Sequence, residues 1–118
     1  MPQKPDISSL QPLGTNSFAI LMALSAGECH GYSISKKVEA ATNGDLLLQP
    51  GRLYTILKQM LANGWIVEVE SAPDDDPRRR YYKLTAWGRR VAKAEAQRLE
   101  SLVRLARSHS LLSATDTV

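Results

Sequence analysis

Only one cysteine, Cys29, occurs in this chain of 118 residues. An internal disulfide framework is therefore excluded, and a reducing compartment fits. No apolar run approaches the roughly 20 residues that a membrane span needs. The first residues, MPQKPDISSLQP, lack the apolar core of a secretory signal, so the expected location is the cytoplasm. Metal ligands are scarce as well. Cys29 and His30 are adjacent, but the only other histidine or cysteine is His109, short of the four ligands of a closed zinc site. His30 reads instead as a turn residue that orders the helix after it. No nucleophile sits in a strand-turn-helix elbow, and no phosphate loop or carboxylate pair stands out. The sequence therefore predicts neither an enzyme nor a bound cofactor or metal, and it contains no internal repeat.

What is present amounts to one domain. At this length folding buries only about 65% of the surface the unfolded chain exposes, so a partner subunit would add stability. Hydrophobic residues make up 43% of the chain and charged ones 23%, the balance of a soluble folded protein. The net charge of +3 conceals an asymmetry. Ten of the fifteen Lys and Arg fall between Arg78 and Arg107, against two acidic residues there, Glu95 and Glu100; the remainder has five basic and ten acidic residues. Such a split suggests a polyanion partner, with a solvated charged helix as the alternative.

Along the chain, residues 1–12 are polar with three prolines and read as a flexible N-terminal arm. A first helix is expected from about Thr15 to Ala26, apolar on most sides through Phe18, Ile20, Leu21, Met22 and Leu24 and therefore largely buried. Gly27 can stop it, and GECHGY turns the chain into a second helix whose Ile34, Val38 and Ala41 share a face. Asn43-Gly44 ends that helix, and DLLL at 45–48 is too short to be more than a strand stub. PGRLYTILKQMLANGW then reads as a third helix, with proline at its start and glycine just past its end. Leu53, Ile56, Leu57, Met60 and Leu61 recur at helical spacing and form one apolar stripe. Two period-two segments, WIVEVE and RYYKLT, flank the turn-rich gap SAPDDDPRR and predict a β-hairpin with a long, projecting tip. Tyr82, in phase with Leu84, is expected in the core. Thr85 caps a last helix running to about Ser108, with Ala92, Leu99 and Ala106 seven apart and Leu102 and Val103 filling between. That seam is of the coiled-coil type and predicts dimerisation through residues 86–110, while residues 111–118 read as a frayed tail.

The order helix, helix, stub, helix, hairpin, helix is that of a winged helix-turn-helix over residues 13–85, a mainly α fold with a small β-hairpin. In that arrangement the third helix enters the DNA major groove, which is about 12 Å wide and accepts one helix. Its face away from the apolar stripe carries Arg52, Thr55, Lys58 and Gln59, suited to base edges and phosphates, with Gly51 permitting close backbone approach. Tyr54 suits a phosphate hydrogen bond or half-buried packing. Arg78, Arg79 and Arg80 on the wing suit phosphate or minor-groove contact, and Asp74, Asp75 and Asp76 at its tip are expected to point off the duplex. Trp87 reads as core packing or as a ligand-stacking residue. The competing function is a winged-helix adaptor that binds protein rather than DNA, which the cationic helix face argues against.

Three stretches, HGYSISKKVE, LLLQPGRLYTILKQMLANGWI and PRRRYYKLTAWGRR, together resemble the PadR family of bacterial transcriptional regulators. The resemblance spans about Ile20 to Arg90 and rests on an HGY start to the second helix, a PG-x-LY third helix and a YY-x-LT-x-x-G closing segment. It implies a homodimeric winged-helix repressor that binds a palindromic operator, dimerises through its C-terminal helix and is often released from DNA by a small ligand. The single C-terminal helix is similar to that of the compact branch. Multidrug-sensing members of that branch place a tryptophan about eleven residues beyond the glycine of the closing motif, a position that is Leu99 here. The resemblance thus implies an apolar opening at the dimer, with Phe18, Trp87 and Leu99 as lining residues and weak binding of flat drugs.

Overall fold

Among the described residues, four α-helices and three short strands arise where chain-stopping chemistry meets apolar periodicity. A computed structural model describes residues 4–70 and 80–113. A 3-10 helix at Ile7–Leu10 leads into α1 (Thr15–Ser25), β1 (Cys29–His30), α2 (Gly31–Ala41), α3 (Pro50–Ala62), β2 (Ile66–Val69), β3 (Tyr81–Leu84) and α4 (Ala86–Ser108). The strands form one antiparallel sheet in the order β1-β3-β2. Three helices packed around a small sheet, with α4 closing one side, make the winged helix-turn-helix that the sequence predicts.

Each boundary has a local cause. The His30 side chain caps α2 by accepting from the Ser33 backbone N–H at 3.3 Å. Asn43 at φ 53° and Gly44 at φ 83° then end it, with Gly44 N–H donating to the Glu39 carbonyl at 2.9 Å. α3 carries Pro50 in its first turn and stops at Gly64, φ 75°, where Gly64 N–H reaches Leu61 O and Trp65 N–H reaches Met60 O at 3.0 Å. Thr85 joins two elements. Its hydroxyl donates to the Gly64 carbonyl at 2.6 Å and accepts from Gly88 N–H at 2.9 Å, capping α4 while holding the turn after α3.

The core gathers Ile20, Leu21 and Leu24 of α1, Ile34 and Val38 of α2, the inner face of α3, and Tyr82, Leu84, Trp87 and Val91. Registry pairs Ile66 with Leu84 and Glu68 with Tyr82. The core face of β2 is therefore the Ile66 phase, and Val67 is 44% exposed. Hairpin alternation alone favours the valines. Ile66 takes the inner position because Trp65, itself buried, offers its carbonyl to Thr85 N–H at 3.0 Å and sets the register from the turn.

Two expectations need correction. The first strand lies at Cys29–His30, inside the expected turn, and not at 45–48. β3 has one free edge, which Cys29 and His30 occupy opposite Tyr82 and Tyr81. Residues 45–48 serve as packing anchors instead: Leu48 is buried, Leu46 is partly buried with its N–H on the Thr42 hydroxyl, and Leu47 faces out. The second correction concerns the N-terminal arm. Ile7 and Leu10 pack against the core, and Asp6 caps the 3-10 helix through Ser8 N–H. Apolar residues at 7, 10 and 13, three apart, give this segment a burying face despite its prolines.

Candidate nucleic-acid interface

α3 has two chemically distinct faces. Leu53, Ile56, Leu57 and Met60 are buried, whereas Gly51, Arg52, Tyr54, Thr55, Lys58 and Gln59 are exposed. The side chains of Arg52, Lys58 and Gln59 make no ion pair or hydrogen bond among the described residues. The first turn holds no acidic residue, so the positive end of the helix dipole is uncompensated there. A Cβ on Gly51 would meet nothing within 4 Å, which leaves the backbone open to close approach. The Thr55 hydroxyl donates to the Gly51 carbonyl at 2.9 Å and retains its capacity to accept. Beside this face lies an open cleft of about 340 Å³, with Arg52, Thr55 and Gln59 on one wall and Thr15, Asn16 and Ser17 of α1 on the other.

Tyr54 is 49% exposed, and its hydroxyl lies over the start of α2. A Cβ on Gly31 would come within 2.6 Å of that oxygen, so the glycine makes room for the tyrosine. Nearby, burial raises the phenol pKa of Tyr82, with Glu68 and Tyr54 adding to the shift. On the wing, exposed Arg80 pairs with Glu68 at 3.7 Å. Arg78, Arg79 and Asp74, Asp75 and Asp76 lie outside the described residues.

The dimerisation candidates split along α4. Val91 is buried and Ala92 partly buried against the domain; Leu99 and Ala106 are partly buried, and Leu102 and Val103 are 49% and 38% exposed. Leu105, 55% exposed and absent from the expected seam, adds to this apolar surface. Part of the cationic surplus of α4 is internal, since Arg98 pairs with Glu95 and Arg104 with Glu100. Of the candidate ligand residues, Trp87 is in the core, its ring flanked by Lys4 Nζ at 5.0 Å and Arg90 Cζ at 5.3 Å. Phe18 and Leu99 are partly buried. Cys29 is buried and accepts from Lys37 Nζ at 3.0 Å. No group of three His, Cys, Asp or Glu among the described residues is placed to hold a metal ion, and no described helix is long and apolar enough to cross a membrane.

Glu95 went unrecognised in the sequence. It is 1% exposed, and its carboxylate takes two hydrogen bonds from Arg98, at 2.9 and 2.6 Å. The hydrogen bond from Arg98 holds its pKa below the usual carboxylate value against the opposing effect of burial, and the Leu13 backbone N–H assists. The available signal was its phase, in line with Val91 and Leu99 on the apolar side of α4.

The profile of the transcriptional regulator PadR-like family matches residues 20–94. The chain belongs to this family. No functionally curated protein matches it. Among solved structures, a PadR family transcription regulator from Clostridium difficile is similar at 25% identity and a TM-score of 0.70, over 81% of this chain and 98% of that one. A transcriptional regulator from Clostridium thermocellum is similar at 25% identity and a TM-score of 0.68, over 78% and 89% of the respective chains. Bacillus subtilis PadR, solved in complex with operator DNA, shares the fold at 22% identity and a TM-score of 0.61, over 69% of this chain and 46% of that one. The PadR-like motifs of this chain are fitted to one another. The glycine of HGY accommodates the tyrosine of PG-x-LY, and the threonine and glycine of LT-x-x-G hold the turn that ends α3.

Proposed function

We propose that this PadR-like regulator binds double-stranded DNA as a homodimer, with α3 in the major groove and the β2–β3 wing on the flanking backbone. The observation that carries the reading is the exposed face of α3, where Arg52, Lys58 and Gln59 have no partner among the described residues. A helix whose outer face served only solubility would gain from intrahelical ion pairs of the kind α4 makes with Glu100 and Arg104. Arg and Gln side chains left free at a helix start are the groups that recognise guanine and adenine edges. That Bacillus subtilis PadR, which shares this fold, is solved in complex with operator DNA supports DNA as the partner. The second copy would cover Leu102, Val103 and Leu105, giving two α3 helices related by a two-fold axis and an operator with palindromic half-sites about 34 Å apart or a multiple of it. Repression by occupancy of such a site, in the cytoplasm and with release by a small apolar effector held near Phe18 and Leu99, completes the reading.

Binding-site selection on the purified protein tests it, followed by titration of the recovered duplex across salt. The expected result is a two-fold symmetric site whose log K falls steeply with log salt, through counterion release. A protein-binding adaptor would recover no consensus, and a single half-site bound as tightly as the full site would remove the symmetric arrangement.

A further inference from the structure

The cleft between α1 and α3 is polar on both walls, and no acidic residue lines it. Arg52 gives one wall a cation, beside Thr55 and Gln59; Thr15, Asn16 and Ser17 form the other. Asn16 and Ser17 are half-buried, yet their side chains make no hydrogen bond among the described residues. Polar residues at a helix start ordinarily bond back to the backbone, and α1 has no side-chain capping bond of that kind. No described side-chain nitrogen or oxygen is both buried and unpartnered, so the free polar atoms of Asn16 and Ser17 are accessible from the cleft they line. One cation and several uncharged donors, with no carboxylate among them, suit an anion.

The same cleft belongs to the DNA face, because exposed Thr55 of α3 also lines it. A major groove about 12 Å wide is filled by a helix that measures about 10–12 Å with its side chains. An element standing beside α3 therefore meets the phosphate wall and not the base edges. Tyr54, two residues from Arg52 and hence on the opposite flank of α3, leans over the start of α2. On the Arg52 flank stands the start of α1.

We propose that this cleft is a phosphodiester site, in which the Asn16 amide and the Ser17 hydroxyl donate to the DNA backbone along one edge of the major groove while Arg52 and Gln59 on the facing wall reach base edges. The proposal rests on the DNA-binding reading above. It makes α1 a third DNA-contacting element beside α3 and the wing. Its part is to fix the register in which α3 enters, since a phosphate contact positions without reading sequence.

The experiment titrates full-length variants against the duplex that wild-type protein selects and against an unrelated duplex. Asn16→Ala combined with Ser17→Ala should weaken both about tenfold and leave the selected consensus unchanged. Asn16→Asp is nearly isosteric and puts a negative charge in the first turn of α1, where it favours the helix. Its melting temperature should hold or rise while affinity falls by more than about tenfold. A merely structural role would move stability and affinity together, and that outcome overturns the proposal. Neutral methylphosphonates then replace the phosphates of the duplex one at a time. At one position per half-site the replacement should cost wild-type protein about tenfold and the double variant less than about threefold, the shortfall being the coupling between side chain and phosphate. Additive losses at every position overturn the proposal. Wild-type protein that selects no duplex overturns the DNA-binding reading and this proposal with it, whereas a folded double variant that binds as wild type does overturns this proposal alone.

Discussion

Single atoms explain the glycines that the motifs carry, and their substitutions separate stability from binding. A Cβ on Gly88 would lie 1.9 Å from the Trp65 carbonyl oxygen, a backbone atom that cannot step aside. Gly88→Ala should therefore destabilise by about 1–3 kcal/mol or more, read from urea denaturation. Gly31 differs, because its obstacle is the far end of the half-exposed Tyr54 side chain. Gly31→Ala should change stability by no more than about 0.5 kcal/mol yet weaken DNA binding, as Tyr54 is turned out of its place over α2. Glu95 adds a pH dependence. Its carboxyl is held low in the folded chain, so the stability it contributes is present above the unfolded value and lost as pH falls through the folded one. Glu95→Gln should thus flatten the acid limb of a stability profile measured from about pH 5 downward; an unchanged limb would show that Glu95 titrates as it does in the unfolded chain.

At the scale of elements, helix and wing should divide affinity from specificity. Phosphate contacts read no sequence, while side chains at base edges discriminate. Arg80→Ala should weaken binding to all duplexes alike and lower the salt slope by about 1. Arg52→Ala or Lys58→Ala should cost about 1 to 3 kcal/mol on the selected site and relax one base pair per half-site. Selections run on wild type, Arg80→Ala and Lys58→Ala would check this, and a shifted preference in Arg80→Ala alone would reverse the assignment. α3 was legible in the sequence because Pro50, Gly64 and the apolar stripe all mark the same helix. β1 was not, since a two-residue strand has no period to read. Its existence depends on the edge of β3, whose Tyr81 lies 51 positions along the chain from its partner His30. The register that turned Val67 outward was hidden for another reason: it is set by the Thr85 N–H to Trp65 carbonyl bond at the base of the hairpin, which period-two alternation does not record.

At the scale of the whole molecule, α4 is half core and half open surface. Leu102, Val103 and Leu105 are solvent-exposed in the single chain, and burying a leucine is worth roughly 1.5 to 3 kcal/mol. Leu102→Glu should therefore dissociate the proposed dimer at micromolar concentration, measured by light scattering, and abolish binding to the proposed two-fold site while the monomer keeps its fold. The seven-residue spacing predicts a seam that includes Leu102 and Val103 but not Leu105, which falls outside the strict heptad phase and is 55% exposed.

The sequence by itself determined everything that acts within a few turns of chain: the helix limits, the caps at His30 and Thr85, the polar face of α3 and the PadR-like motifs. Those features rest on backbone hydrogen bonding and periodicity, which are local. Tertiary structure alone decided which edge β1 would pair, which atoms a side chain at Gly31 or Gly88 would meet, and that Glu95 would be buried against Arg98. Each of these depends on atoms brought together from distant positions, and the cost of crowding or desolvating a group exists only once its neighbours have arrived.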